Sequence, residues 1–294
     1  MSADATDSFL NASPAPAPLS SQDLTIVVPV RDDPLIYRCL ASIDLACPVI
    51  VSTNGSPDWF LKGLTMYAKS AAHVTVLSTS ESGIGLAYNH AIAQAVTPLV
   101  LLMDSDCTFE PGAIAAMLAE ASFGLVKGRV RFETAGRGSR LVAAARRLTE
   151  DPLVTKKANA YSPPLLYSTN IVEKMGGHHF NTAMKWREDR DFELRRRKSN
   201  VPVRLVPQAV IWHKPLSVRD DLKSVRAYGA GQAHGEFLKV LPAMSLRHEL
   251  SKACKVAWRG VQRGEYGAGV YAAFRTLLVV ASRGAVLGRR RGAK

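Results

Sequence analysis

Two carboxylates stand one residue apart in the sequence LLMDSDCTFEPGA, residues 101–113. Asp104 and Asp106 follow an apolar run that predicts a buried β-strand. Carboxylate oxygens are preferred ligands of hard divalent cations, so the pair is a candidate Mg²⁺ or Mn²⁺ site if other ligands complete the shell. A solvated turn, in which Asp is common, is the more usual role of an isolated pair. His213 follows another predicted strand and is a candidate third ligand or, alternatively, a capped or exposed histidine.

Three further acids crowd into the sequence WREDRDFELRRR. Glu188, Asp189 and Asp191 lie beside Arg187 and Arg190. An acid close to other acids and to a cation can be tuned to hold or release a proton, so this segment is a candidate source of a general base. A charged helix N-terminus is the alternative interpretation, because acids are favoured in the first turn of a helix.

Strands and helices alternate along the first part of the chain. Apolar runs predict strands at Leu24–Val30, Pro48–Val51, His73–Leu77 and Thr97–Met103. Helices are predicted between them at Leu35–Leu45, Trp59–Ser70 and Leu86–Ala95. This alternation predicts an α/β fold with a doubly wound, mostly parallel sheet and helices on both faces.

Ligands of such sheets bind at the carboxyl ends of the strands. Three polar segments follow predicted strands there: Arg31–Asp33, Thr53–Ser56 and Asp104–Asp106. We therefore expect them to line one crevice. Further along, the patterns predict a helix at Gly112–Ala121, a strand near Leu125–Phe132, a helix over 186–197 and short strands at Val201–Val206 and Ala209–Trp212. Residues 134–165 fit a helix followed by a loop.

The composition is that of a globular protein, since 47% of the 294 residues are hydrophobic and 21% are charged. The four cysteines form neither a C-x-x-C pair nor a zinc pattern, which favours a reducing compartment such as the cytoplasm. Residues 1–22 are rich in Ala, Pro and Ser and are predicted to be a disordered leader without the pattern of a secretory signal.

Most of the net charge of +13 lies near the C-terminus, where residues 214–294 hold sixteen Lys or Arg against five Asp or Glu. A basic helical extension over 216–294 suits anionic lipid or nucleic acid. Nucleic acid is not expected, because aromatic residues are not interleaved with the charges. Arg275 and Arg283 interrupt the apolar run at Ala268–Leu287 and would each cost roughly 2.5–3.5 kcal/mol in a bilayer centre. An interfacial helix with snorkelling arginines and a packed C-terminal helix are therefore the two interpretations.

Seven motifs in order carry a resemblance to a known family. They are TIVVPVRD, VSTNGSPD, GIGLAYNHAI, LLMDSD, MGGHHF, REDRDFELRRR and VPQAVIWH. No single motif is specific, but their order and spacing over residues 24–215 resemble a family 2 glycosyltransferase of the GT-A fold. The resemblance implies a transferase domain over 23–215 that moves one sugar, with inversion, from a nucleotide-diphosphate sugar to an acceptor hydroxyl.

The resemblance also implies roles for residues. The implied nucleotide-binding residues are Pro29, Val30, Arg31, Asp33, Thr53, Asn54, Gly85, Asn89, Asp104 and Ser105. Asp104, Asp106 and His213 would hold Mn²⁺ or Mg²⁺. Asp189 would be the base, with Glu188 and Asp191 as alternatives. Trp186, His178 and His179 would lie on the acceptor side.

The sequence departs from the family pattern at three points. Thr53 stands where many relatives have an Asp, so UDP is favoured but not fixed as the nucleotide. Histidines follow the Gly-Gly pair in place of an aromatic residue and an acid. No Q-x-x-R-W stretch follows His213, which favours single additions. The acceptor could be a lipid-linked intermediate, a glycan or a small natural product.

Two other functions stay open at this point. A sugar nucleotidyltransferase would share the fold and the acidic site, although no Gly-rich, Lys-bearing loop follows the first strand. A basic protein that binds nucleic acid or membrane without catalysis is the second alternative. We expect a cytoplasmic protein, with attachment of the basic extension to the inner face of the cell membrane as a further expectation.

Overall fold

The computed structural model describes residues 19–161 and 163–292, so most of the predicted leader over 1–22 lies outside the described residues. The strands are β1 Leu24–Val30, β2 Val49–Thr53, β3 Val74–Leu77, β4 Leu99–Leu102, β5 Cys107–Phe109, β6 Leu125–Phe132, β7 Leu165–Ser168 and β8 Val203–His213. The helices are α1 Ile36–Ala41, α2 Asp58–Ser70, α3 Ile84–Ala93, α4 Ala113–Leu118, α5 Arg137–Glu150, α6 Pro152–Thr155, α7 Glu188–Lys198, α8 Val218–Phe237, α9 Leu246–Gln262 and α10 Tyr266–Gly292.

The described strands form one sheet with the order β3-β2-β1-β4-β7-β6-β8-β5. The first four strands in this order are parallel, and β6 and β8 are parallel to each other. The pairs β4–β7, β6–β7 and β5–β8 are antiparallel. The predicted α/β class is confirmed. The two short strands expected at Val201–Val206 and Ala209–Trp212 are in fact one strand, β8, with a register shift opposite Lys127–Arg129.

Every residue of β1 is buried, as expected for a central parallel strand covered on both faces. Successive side chains of a strand point to opposite faces. Ile26 and Val28 accordingly join one apolar cluster with residues of α1, α2 and α4. Val27 joins a second cluster with Tyr88 of α3 and Phe192 of α7. This packing fixes the sheet between two helical layers and holds its strand ends in place.

The C-terminal extension packs on α5, which is the helix expected within residues 134–165. Ala145 and Leu148 of α5 form a cluster with Val256 of α9 and with Ala268 and Ala272 of α10. A turn at residues 263–265 joins α9 and α10 into an antiparallel pair, which we call the α9–α10 hairpin.

The structure decides between the two interpretations of the arginines in α10. Arg275 is 6% exposed, and its Nε lies 2.8 Å from Asp221 Oδ2. Arg283 donates from Nε to Glu236 Oε1 at 2.8 Å. The snorkelling interpretation is therefore wrong for these two side chains, which are bound inside the protein. By length and hydropathy alone, residues 266–289 could cross a membrane, and 17% of the most apolar window is buried.

Candidate active site

A cavity of about 400 Å³ opens where β1, β2 and β4 end. Arg31, Asn54, Ser82, Gly83 and Ile84 line one part of it, and Asp104 lines it as well. Lys185–Asp189 and Tyr228 of α8 form another wall. The predicted convergence of polar loops at one sheet edge thus gives a cavity lined by both carboxylates and cations.

Asp104 ends the buried strand β4 and is held by Tyr88 of α3. The Tyr88 hydroxyl donates to Asp104 Oδ1 at 2.8 Å. Burial, followed by the nearby Asp106, raises the pKa of Asp104 to about 7. The hydrogen bond from Tyr88 opposes this shift because it stabilises the charged form. A carboxylate in this setting gains from a cation nearby.

Asp106 and His213 come together because Cys107 of β5 pairs with His213 of β8. Asp106 Oδ2 lies 3.4 Å from His213 Nε2. It also lies 3.2 Å from Lys214 Nζ, which donates to Asp33 Oδ2 at 2.8 Å. Asp106, Cys107 and His213 each offer one atom that could bind a metal, and these three atoms lie within 4.8 Å of one another.

The donor set of this cluster fits a hard divalent cation. His213 Nδ1 lies 2.8 Å from the Lys214 carbonyl oxygen, which can only accept, so Nδ1 carries the proton. With a proton on Nδ1, Nε2 is the nitrogen that faces the Asp106 carboxylate and that would be free to bind a metal. Burial raises the pKa of the Cys107 thiol, so sulfur is a poor ligand here. Asp106 and His213 are the stronger donors, and Lys214 competes with a cation for the same carboxylate.

Glu188 and Asp189 enter the cavity at the start of α7, where Arg187 adopts a left-handed conformation with φ 71°. Glu188 is 8% exposed, and its Oε2 has no hydrogen-bond partner among the residues described. Burial and the neighbouring Asp189 raise the pKa of Glu188 to about 8. Burial also raises the pKa of Asp189, while Arg187 opposes that shift. Gly85 allows this approach, since a Cβ there would lie 3.4 Å from Glu188 Cγ.

Trp186 and Tyr228 form an edge-to-face aromatic pair on the same wall. Their ring centroids lie 5.7 Å apart and their ring planes are nearly perpendicular. The Arg187 guanidinium lies 5.3 Å from the Tyr228 ring centroid, and its Nε donates to the Tyr228 carbonyl oxygen at 3.3 Å. The extension therefore contributes directly to the cavity. Nothing in the sequence RAYGAGQAHGEF, residues 226–237, indicated that Tyr228 would reach this wall.

The predicted nucleotide-binding residues occupy different positions relative to the cavity. Arg31 and Asn54 line it, and Asn54 Oδ1 accepts from the Gly83 amide. Pro29 and Val30 are buried in β1, and Ser105 is half-buried between the two acids. Thr53 is fully buried, with no partner for its hydroxyl in the described part of the chain. A ligand that reaches Thr53 could satisfy this group.

Asp191, His178, His179 and Asn89 are predicted site residues whose polar groups contact other parts of the protein and which do not line the cavity. Within α7, Asp191 accepts a hydrogen bond from Arg195 Nε at 2.9 Å. His178 contacts the Gly176 carbonyl, and His179 contacts the Tyr167 hydroxyl at 3.1 Å. Asn89 exchanges two hydrogen bonds with the backbone of Phe180. These bonds occupy polar groups of all four side chains within the protein, and their contact with ligands stays a prediction.

Lys127 is a residue of the site region that the sequence reasoning missed. It is 7% exposed, and its Nζ donates to the carbonyl oxygens of Tyr161 and Pro163. Burial lowers its pKa to about 7, opposed by the charges of Asp189 and Asp104. A single lysine in the otherwise apolar start of β6 was the available signal. Tyr88 and Lys214 were also missed, although each lies next to a residue already proposed for the site.

The fold and the acidic cavity define a GT-A glycosyltransferase. Residues 25–184 match the family model described as Glycosyl transferase family 2, which is more than half of the chain. The protein belongs to this family, and the predicted family and enzyme class are confirmed. A search of curated proteins finds no significant match.

Solved structures with similar folds support the architecture. The mannosyltransferase PcManGT from Pyrobaculum calidifontis, in complex with GDP-Man and Mn²⁺, matches with a TM-score of 0.55 and 17% identity, over 95% of this chain and 78% of that one. TarS 1–349 from S. aureus, in complex with UDP-GlcNAc, matches with a TM-score of 0.52 and 14% identity, over 92% of both chains. At these identities the likeness shows the fold.

Proposed function

We propose that the protein transfers one sugar from a nucleotide-diphosphate sugar to an acceptor hydroxyl, with inversion and with the help of a divalent cation. The observation that carries this proposal is that the Asp106–His213 pair and the Glu188–Asp189 pair both adjoin Asp104 and its cavity. Two similar folds were solved with GDP-Man and Mn²⁺ or with UDP-GlcNAc, which supports a nucleotide-sugar donor.

Asp106 and His213 would hold Mn²⁺ or Mg²⁺, with Asp104 directed to the ribose and the metal. When bound, the cation neutralises the charge that grows on the departing diphosphate. Arg31 also lines the cavity and would add a second positive charge near the donor. Asn54 would contact the nucleobase, with the buried Thr53 behind it, and we favour uracil, which neutral groups can recognise by hydrogen bonding.

Asp189 would accept the proton of the attacking hydroxyl. An in-line displacement requires the base on the side of the anomeric carbon opposite the diphosphate. Asp189 lines the same cavity as Arg31 and Asn54, which supports this role. Its raised pKa makes it a stronger proton acceptor than an exposed carboxylate. Glu188 is the alternative base, while the ion pair of Asp191 with Arg195 argues against that residue.

The acceptor would bind against Trp186 and Tyr228. Aromatic rings offer an apolar surface to the C–H face of a sugar or to a lipid chain. Tyr228, one of these two rings, belongs to the C-terminal extension. We propose a cytoplasmic enzyme whose basic extension lies at the inner face of the cell membrane. A lipid-linked acceptor would fit that location.

Two substitutions test the proposal. Asp106→Ala should abolish transfer. It should also weaken Mn²⁺-dependent binding of the nucleoside diphosphate by about tenfold or more, because the metal loses one of its protein ligands. Asp189→Asn should abolish transfer but leave that binding unchanged, because the base contacts the acceptor. Asp58→Asn, which changes an exposed acid on α2, is the matched control.

Binding is followed by calorimetry, and transfer is followed by the release of nucleoside diphosphate. Near-native turnover of Asp189→Asn would exclude it as the base, and release of pyrophosphate would indicate a nucleotidyltransferase.

A further inference from the structure

The α9–α10 hairpin carries an exposed apolar surface that the transfer reaction does not explain. Its large side chains are 40% to 67% exposed and follow helical spacing on each helix: Leu250, Trp258, Tyr266, Val270, Phe274 and Leu277. On α10 the residues at 266, 270, 274 and 277 share one side of the helix. No charged residue falls on this side of α10 before Arg289.

Both helices present these side chains in the same direction. Val256 of α9 and Ala272 of α10 pack on Ala145 of α5, and Arg259 donates to the Leu148 carbonyl oxygen of that helix. The apolar side chains occupy the opposite side of each helix. They therefore form one continuous surface that faces away from α5, and we call it the hairpin face.

The charges around the hairpin face have one sign. The two acids of the hairpin are paired, Glu249 with Lys252 and Glu265 with Arg147. The remaining exposed charged side chains of its described residues are Arg247, Lys255, Arg263 and Arg289. An apolar stripe flanked by unneutralised basic residues is complementary to a bilayer with anionic headgroups.

The other charges of α10 determine how this surface can meet a membrane. Arg275 is held by the buried acid Asp221, and Arg283 is held by Glu236. A helix that crossed the bilayer would have to break both ion pairs and carry two arginines into hydrocarbon. A helix that lies in the interface keeps both pairs and still buries Val270 and Phe274 among the lipid chains.

We propose that the hairpin face docks on an anionic lipid bilayer, with α9 and α10 parallel to the membrane plane. A second copy of the chain is a poorer occupant, because self-association through this face would bring the same basic residues together. The docking rests on the membrane location proposed above and names the surface that makes the contact. It does not depend on the transfer reaction, so transfer and docking can fail separately.

The test uses the full chain and vesicles of phosphatidylcholine with or without phosphatidylglycerol, in the absence of nucleotide. We expect sedimentation with the anionic vesicles only, and release at high salt. Trp258→Ser combined with Phe274→Ser should weaken binding about tenfold or more, because two large side chains leave the lipid. Trp59→Ser, which removes an equally exposed tryptophan on α2, is the matched control and should bind as the wild type does.

A second arm tests the charges. Arg247→Glu combined with Lys255→Glu should weaken binding by about tenfold at low salt, whereas Lys62→Glu on α2 should not. Melting temperatures verify that each variant is folded, and light scattering reports the oligomeric state. Equal binding to both vesicle types, or equal binding of the variants and their controls, would overturn the proposal. A dimer that Trp258→Ser with Phe274→Ser dissociates would also overturn it, since a second copy would then cover the face.

Discussion

At the scale of single residues, the cavity concentrates acids whose protonated forms are stabilised by burial. Glu188 shows this most clearly, because its Oε2 is buried without a partner in the part of the chain that the structure describes. Asp104 has the same tendency, with a pKa raised to about 7. Both groups border the proposed donor site. A cation and the amides and hydroxyls of bound substrates would supply the compensation that the protein alone does not.

We predict that Glu188→Gln stabilises the free enzyme at pH 8. The pKa of Glu188 is raised from 4.5 to about 8, so between these values the folded protein holds a proton that the unfolded chain releases. Stability is therefore lost as pH rises through this window. Glutamine cannot ionise, so the variant should melt about 2 °C or more above the wild type at pH 8, the shift that roughly 1 kcal/mol produces.

At pH 4 the melting temperatures of Glu188→Gln and the wild type should converge, because Glu188 is then protonated in both states. Melting is followed without cation or nucleotide. Glu81→Gln, which alters an exposed acid, is the control and should follow the wild type at both values. A variant less stable than the wild type at pH 8 would mean that Glu188 is charged and paired in the folded protein.

At the scale of elements, α8 connects the cavity to the C-terminal hairpin through glycines. A Cβ at Gly229 would lie 2.6 Å from Ser282 Cβ and from the Val279 carbonyl oxygen in α10. A Cβ at Gly231 would lie 2.7 Å from Trp186 Cβ at the cavity wall. The glycines thus allow one helix to approach both neighbours at backbone distance, and this close approach brings Tyr228 into the site.

We predict that Gly229→Ala destabilises the protein by about 1–3 kcal/mol, the usual cost of overpacking a closely packed contact. Gly284→Ala on α10 is the matched control, because no atom lies within 4 Å of a Cβ built there. Gly284→Ala should leave the free energy of unfolding unchanged or raise it by up to about 1 kcal/mol, because alanine has the higher helix propensity. Urea unfolding measures both. Equal stability of the two variants would show that α10 does not pack tightly against Gly229.

The elements explain which parts of the site the sequence could predict. Asp104 and Asp106 follow a long apolar strand, so their position at the sheet edge was evident from local pattern. Side-chain direction within a segment was not. Asp191 points to Arg195, away from the cavity, because it stands two positions beyond Asp189 on the helix, roughly half a turn around it. Tyr228 reaches the cavity only through packing between distant segments, which no local pattern reveals.

At the scale of the whole molecule, buried ion pairs tie the extension to the transferase domain. Asp221 of α8 is fully buried and accepts from Arg146 Nε of α5 at 2.8 Å. Its second oxygen accepts from the Tyr271 hydroxyl and lies 2.8 Å from Arg275 Nε, both on α10. The sequence suggested a boundary near residue 215, but this network joins both sides of it. We therefore expect one cooperative unit.

We predict that Asp221→Asn lowers the melting temperature in a single transition. The substitution removes the buried one of the two carboxylates that Arg146 and Arg275 share, the other being Glu150. Breaking such a buried pair costs about 3–5 kcal/mol. In a protein of this size the melting temperature should fall by about 6 °C or more. Asp220→Asn changes the neighbouring exposed acid, which caps its own helix with Ser217, and should lower the melting temperature far less.

Differential scanning calorimetry measures the shape of the transition as well as its midpoint. If the extension were a separate unit, Asp221→Asn would split the melting curve or leave a second transition at its original temperature. A single shifted transition would mean that the acceptor wall, the hairpin and the donor site form and unfold together.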